Sequence, residues 1–441
     1  MPIVFMVRMF SRSYLTVTFG FALRALSLSV LVVVLARTLG PSDFGGYAAA
    51  ASLASFFSMF SGLGAGPLHV RDVAHAKLSY EVSLNHTVHR IGWTFLPLTV
   101  VAMACAWFVI PHNVEPLAIV LIVMGETMNY AGSDLAVRIL QARERYTAMS
   151  LAICATPTLR IIVVAALMAT GSLGLFSWAI VSVATGALMC AVVIGAWAWR
   201  MRGNLGSRVS LLQDSVAGLG FAVATAASRI HGDADKVVLA RLVSTATAGT
   251  YTVAYRLTDI FLLPISAGVE RMLPVLFKHG QHGLRQSIRT SATKVGLVLA
   301  FALALSCCVY MAASLLPWIL GKNYLETVPI AHALSAVPFT ATCWIIVRTL
   351  AATAGYERST GVFELAGALF NVGATVVLVM AWDWRGAVVA TYLTHVAMAA
   401  TFCIYVICRP GFARGRQSRS KRAAAPAVHD RVPPDHGNCG P

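Results

Sequence analysis

The amino-acid sequence predicts an all-α polytopic membrane protein, with about 12 transmembrane helices in two six-helix lobes around a central cavity. Three observations predict it. The 441 residues are 58% hydrophobic and only 12% charged, with a mean hydropathy of +0.73, whereas soluble domains carry about 25% charged residues. Apolar runs of about 20 residues, the length that crosses about 30 Å of hydrocarbon, recur along almost the whole chain. The chain also repeats itself. Val33 to Arg37 and Val237 to Arg241 both read VVLAR, and the match continues ungapped through Gly45/Gly249, Tyr47/Tyr251, Ala50/Ala254, Leu53/Leu257, Phe57/Phe261 and Gly64/Gly268, giving 11 identities in 32 positions at offset 204. Apolar bias does not place Arg, Gly and Tyr in register, so the pattern is an internal duplication with one chain direction. Arg138, Leu140, Ala142 and Tyr146 recur at Arg348, Leu350, Ala352 and Tyr356, offset 210.

The spans are read in order as 14–38, 44–67, 91–110, 116–137, 148–170 and 175–199 in the first half, then 214–242, 246–273, 295–320, 328–350, 361–382 and 386–408 in the second. Residues 1–205 form the first lobe, 206–408 the second, and 409–441 a basic, disordered cytoplasmic tail. The segment from Tyr14 is too long for a cleaved leader and holds Arg24 inside it. Residues 68–90, of mixed polarity, suit an interfacial helix. The seventh span carries charges through its middle. The repeat still places it opposite an apolar span, so RIHGDADK (Arg229 to Lys236) lies in the membrane rather than in a loop.

Loop charge sets the orientation. Alternate connections plus both termini hold 24 Lys and Arg; the opposite set holds 4, namely Arg37, Arg241, Lys322 and Arg385. Both termini are therefore expected to be cytoplasmic, in a cell (inner) membrane protein. The net charge of +16 follows from this asymmetry and does not imply nucleic-acid binding. The tail's run of Arg414, Arg416, Arg419, Lys421 and Arg422 suits a topology anchor or anionic lipid. The short external turns PHNVE and GSLG leave no room for a catalytic module, so no enzyme is expected. No GxxxxGK[ST] loop is present, and none of the nine cysteines forms a CxxC pair. His86 and His89 lack a third ligand, so neither a metal nor another cofactor is expected.

Ionisable residues at membrane depth are the candidate site. Each costs about 2.5–3.5 kcal/mol at a helix centre, so each must face protein or a water-filled cavity. Arg24 lies near the middle of span one with no acid within four residues. It is either an anion ligand or the partner of an acid on another helix, Asp235 or Glu126. Arg229 and Asp233 are spaced i, i+4, and Asp233 and Lys236 are spaced i, i+3; Asp235 has only its neighbour. Arg256 and Asp259 form an i, i+3 pair in span eight, and Asp134 and Arg138 a boundary pair in span four. Glu126, Arg160 and Glu364 stand alone in the sequence.

Residues 35–74, LARTLGPSDFGGYAAAASLASFFSMFSGLGAGPLHVRDVA, resemble the opening of the polysaccharide flippase family within the multidrug/oligosaccharidyl-lipid/polysaccharide exporter superfamily. The shared pattern is Leu39-Gly40, Asp43, Gly45-Gly46-Tyr47, Gly64 and Arg71. DKVVLARLV with AGTYTVAYRLTD resembles the family's seventh and eighth spans, and RTLAATAGYERSTGVFELAGALFNVGA its tenth-to-eleventh connection.

The resemblance implies a V-shaped body whose lobes alternate between facing in and facing out. It implies a polyprenyl-diphosphate oligosaccharide as cargo, carried from the inner to the outer leaflet for surface polysaccharide (exopolysaccharide or O-antigen-like) biosynthesis. Membrane lipids, a polysaccharide polymerase and glycosyltransferases are the implied partners. Members resembling lipid II flippases place arginines of the first and eighth spans near the diphosphate; by position these are Arg24 and Arg256, with Arg229 a third candidate. Asp233 and Asp235 make span seven more acidic than a purely anion-binding wall. They leave room for coupling to H+ or Na+ through Asp235, Asp233, Asp259 or Glu126. The rival reading on the same fold is an ion-coupled small-molecule exporter of the multidrug type. Such a pump needs cavity acids and aromatics more than arginines. A polymerase or ligase, or a scaffold without transport, fits the short external loops less well.

Overall fold

The structure, a computed structural model, describes residues 12–75, 77–200, 213–280 and 283–408. Both the junction at 205/206 and the tail 409–441 lie outside the described residues. Every described element is helical. Eight stretches are long and apolar enough to cross a membrane. Two of them are each two crossings. Helix α1 (Arg12–Ser58) breaks at Gly40, whose φ of 77° only glycine adopts freely, and restarts on Pro41. Helix α13 (Glu357–Ile407) breaks at Trp382 and Asp383 (φ 51°). Two further helices, α4 (Pro116–Ala142) and α7 (Gln213–Leu242), are of crossing length yet fall outside the apolar set. They carry more than half of the charged side chains that line the site, Glu126, Asp134, Arg138, Arg229, Asp233 and Lys236. With these the fold agrees with the twelve crossings expected.

The remaining helices are α2 (Ala65–Ala74), α3 (Tyr80–Val109), α5 (Tyr146–Ala169), α6 (Leu175–Arg200), α8 (Thr245–Gly280), α9 (Leu284–Ala313), α10 (Leu316–Leu320), α11 (Thr327–Leu334) and α12 (Val337–Ala351). Residues 68–90 are not one interfacial helix. The chain turns after α2, and the Ser79 hydroxyl caps the Val82 N–H at 3.4 Å to start α3 eleven residues before the expected boundary at 91. The polar start of α3 is tolerated because it is buried in protein: Ser83, Asn85, Thr87 and Arg90 are all under a tenth exposed. His69 of α2 locks onto it through Ser83 Oγ at 2.9 Å, and burial pushes this imidazole down to about 4. The tenth crossing is also broken, between α11 and α12. The Tyr392 hydroxyl repairs the gap, donating to Ala333 O at 2.6 Å and accepting from the Ala336 N–H at 3.2 Å.

The duplicated segments meet each other. A Cβ on Gly45 would collide with the Thr245 carbonyl oxygen, and a Cβ on Gly249 with the Pro41 carbonyl oxygen. Gly45 and Gly249 are repeat equivalents, as are Pro41 and Thr245, both at offset 204. The contact is therefore reciprocal, as across a two-fold axis. Around it, Ser42 Oγ meets Thr245 Oγ1 at 2.9 Å, Asn113 donates to Thr245 Oγ1 at 3.3 Å, and the Tyr324 hydroxyl donates to Ala36 O at 2.8 Å. The largest apolar core lies here too and crosses between halves, from Leu35, Phe44 and Ala49 to Leu239, Tyr251 and Leu334. This end of the bundle is closed. At the other end the symmetry fails: Gly64 packs on the Gly218 backbone, whereas among the described residues nothing lies within 4 Å of a Cβ on its counterpart Gly268.

Overpacking at a tight contact costs about 1–3 kcal/mol. Gly45→Val is therefore expected to shift the closed-to-open ratio by about 5- to 150-fold. A Ser42→Cys/Thr245→Cys pair reads this out as bridged peptide in mass spectrometry. The bridge should form readily in the parent protein and fall sharply with Gly45→Val; equal yields would contradict the latch.

Candidate functional site

Below the closed end, α1, α4, α5, α7 and α8 enclose a cavity of about 970 Å³. Helical spacing decides which charges reach it. Arg229, Asp233 and Lys236 are i, i+4 and i+7 on α7 and all line it. Asp235 is about 200° round the helix from Asp233 and does not. It is 3% exposed, packed inside the second half. Its Oδ1 accepts the Lys236 backbone N–H at 2.9 Å. The Tyr251 hydroxyl lies beside it, but neither Asp235 Oδ2 nor Tyr251 OH completes a hydrogen bond of good geometry.

Of the other expected site residues, Arg24, Arg256, Asp259 and Glu126 all line the cavity. Several pairings differ from the sequence reading. Asp233 takes Lys236 (2.6 Å) as its partner, with Arg229 left out of the pair. The shorter, stiffer reach at i, i+3 wins because Lys236 Nζ also donates to the Gly232 carbonyl at 2.6 Å. Glu126 and Arg160, isolated in the sequence, pair with each other at 2.8 Å, with Arg160 Nε donating to Thr185 Oγ1 at 3.0 Å. Arg256 and Asp259 pair at 3.3 Å, and so do Asp134 and Arg138. Glu364 lies outside the cavity, paired with Arg348 at 2.6 Å and accepting from Trp344 Nε1 at 3.2 Å.

Arg24 finds neither Asp235 nor Glu126. Among the described residues it forms no ion pair, and Arg229, another cation, lies within electrostatic reach. The lining holds six basic residues (Arg24, Arg138, Arg160, Arg229, Lys236, Arg256) and four acids (Glu126, Asp134, Asp233, Asp259). Each acid has its own basic partner. The excess is two positive charges, on Arg24 and Arg229, in a cavity at membrane depth. Like charges held together away from bulk water are unfavourable until an anion joins them.

The sequence reading did not single out Asn129, Tyr130 and Ser133, which also line the cavity. Uncharged polar side chains stand out little in a helix. The signal available was their clustering around Glu126 and Asp134 within one crossing.

A two-lobed helical bundle around a charged mid-membrane cavity defines a transporter of the flippase and exporter class. Residues 14–279 match the model of the family described as polysaccharide biosynthesis protein. The chain belongs to that family. Among solved structures it is similar to the lipid II flippase MurJ in an inward closed conformation, with TM-score 0.67 and 12% identity over 90% of this chain and 88% of that one. It is also similar to an inward-facing multidrug resistance MATE family transporter of the MOP superfamily, with TM-score 0.62 and 14% identity over 95% and 98% of the two chains. A third is the MATE multidrug transporter DinF-BH, with TM-score 0.58 and 14% identity over 90% and 94%. No curated protein sequence matches the chain. At such identities the likeness is one of fold, and these neighbours are transporters rather than enzymes.

Proposed function

We propose that the protein moves a polyprenyl-diphosphate-linked oligosaccharide from the inner to the outer leaflet of the cell membrane, in the synthesis of a surface polysaccharide. The observation that carries this reading is the pair of arginines, Arg24 and Arg229, that form no ion pair among the described residues and whose two excess charges match a diphosphate. Guanidinium groups bind such oxyanions by charge-assisted, often bidentate, hydrogen bonds. The sugar head must cross the hydrocarbon and the lipid tail need not leave it, which suits a cavity bounded by membrane helices. With the basic loops and both termini in the cytoplasm, the Gly45–Gly249 closure is external. The cavity, which reaches Gln141 and Tyr146, then opens inward. A cationic drug is a poorer fit, because every cavity acid is already paired.

Asp235 is our candidate for coupling to a proton or sodium ion. It is a buried carboxylate without an ion-pair partner among the described residues, set beside the Tyr251 hydroxyl behind the cavity wall on the helix that carries Arg229. Cells lacking the protein, complemented with wild type, Arg24→Ala or Asp235→Asn, test both readings with a probe that reaches only externally exposed glycolipid. The wild type should raise the outer-leaflet signal, Arg24→Ala should not, and Asp235→Asn should lose the response to a collapsed ion gradient. Equal signal with and without the protein would remove the flippase reading.

A further inference from the structure

The cavity has two chemically different walls. The excess positive charge lies with Arg24 and Arg229, whereas α4 presents Asn129, Tyr130, Ser133 and Gln141 beside three charges that are all ion-paired, Glu126, Asp134 and Arg138. We propose that α4 is the glycan wall. An uncharged, hydroxyl-rich sugar chain lies along Asn129, Ser133 and Gln141 while its diphosphate sits at Arg24 and Arg229. This inference rests on the flippase reading and deepens it by placing the sugars and naming their chemistry.

Three observations support the placement. The first is unused hydrogen-bonding capacity. Ser133 Oγ donates to Asn129 Oδ1 at 3.4 Å, and Arg138 Nη1 donates to Gln141 Oε1 at 3.2 Å, both within α4. Among the described residues, neither amide NH2 group bonds to another helix, and both residues line the cavity. A polar group in a membrane helix costs free energy unless it has a partner or water. A stripe that serves no helix contact therefore calls for an occupant.

The second is the duplication, which supplies an internal control. At offset 210, α12 is the repeat equivalent of α4. Asn129, Ser133 and Gln141 correspond to Phe339, Cys343 and Ala351. No residue of α12 lines the cavity. At these three positions the element carries amide or hydroxyl side chains only in the half where it meets the cavity, so they are not a requirement of the fold.

The third is continuity with the charged end. Tyr130 lies within electrostatic reach of Arg229 and Arg256, and likewise of Arg24. Its ring offers an apolar face and its hydroxyl a polar tip, a combination suited to a sugar. From Asn129 to Gln141 the helix rises about 18 Å, away from the Gly45–Gly249 contact. The charges along this wall cancel in pairs, Glu126 with Arg160 and Asp134 with Arg138, which favours neutral sugars over acidic ones.

The test uses the full chain in proteoliposomes. It compares flux of polyprenyl diphosphate carrying a neutral tetrasaccharide with flux of the same lipid carrying one neutral sugar. Asn129→Ala/Ser133→Ala should lower the long-to-short flux ratio by about tenfold, the scale of one or two lost hydrogen bonds. Ser133→Thr keeps the hydroxyl and should keep the ratio. Arg24→Ala should lower both fluxes and leave the ratio as it was. A ratio unchanged in the double variant overturns the proposal. So does an equal fall in the double variant and Ser133→Thr, which would mark a packing defect. If the wild type moves neither lipid, the flippase reading itself has failed, an outcome distinct from either.

Discussion

Arg24→Ala protein is expected to reach the membrane in normal amount, to be at least as heat-stable as the wild type, and to lose transport by about 100-fold or more. Arg24 has no acidic partner among the described residues, and Arg229, another cation, lies within electrostatic reach. Removing it breaks no ion pair and relieves a repulsion, so the fold should lose nothing. Transport loses a forked, charge-assisted contact worth about 1.5–3 kcal/mol for each hydrogen bond to a charged group. Two such bonds account for the loss. Arg24→Lys retains the charge without the planar fork and should fall between, near a tenfold loss. Thermal unfolding in detergent and outer-leaflet labelling of the cargo measure the two halves of this result separately. A large drop in stability would make Arg24 a structural residue, and normal export would end its role at the diphosphate.

The architecture was legible because a bilayer forces it. Apolar length, loop charge and a duplication in register need no knowledge of packing. The repeat even placed RIHGDADK inside the membrane before any contact was known. Pairing between helices was not legible, because sequence spacing reports only neighbours on one helix. Asp233 had two cationic candidates at helical spacing, and a backbone carbonyl at Gly232 decided for Lys236. Glu126 and Arg160 are 34 residues apart, so no local rule joins them. Asp235 and Asp233 looked alike in sequence, yet a turn of about 200° put one behind the wall and the other on it. The neutral stripe on α4 was hidden for another reason. Asn, Ser and Gln cost a crossing less than charges do, and only the cavity shows which way they face.

The second large effect is expected at that hidden pair. Arg160 Nη1 donates to both Glu126 oxygens, at 2.8 and 3.1 Å, with its guanidinium 5.4 Å from the Trp178 ring centre. The two side chains are 4% and 3% exposed. Arg160→Leu strands a carboxylate whose one remaining side-chain donor is the Ser182 hydroxyl at 3.4 Å. Breaking a buried pair from one side costs about 3–5 kcal/mol. Replacing both members with apolar groups of similar volume leaves no charge to strand. Glu126→Leu/Arg160→Leu should therefore recover most of that loss in thermal unfolding, the signature of coupling between the two sites. Single and double variants of equal cost would mean that the pair contributes packing alone. The double variant also decides a functional question. Glu126 and Asp235 are both candidates for the coupling acid, but Glu126 is ion-paired with Arg160, whereas Asp235 forms no ion pair among the described residues and has the Tyr251 hydroxyl beside it. A double variant that still transports under gradient control removes Glu126 from the coupling step and narrows it to Asp235, Asp233 and Asp259.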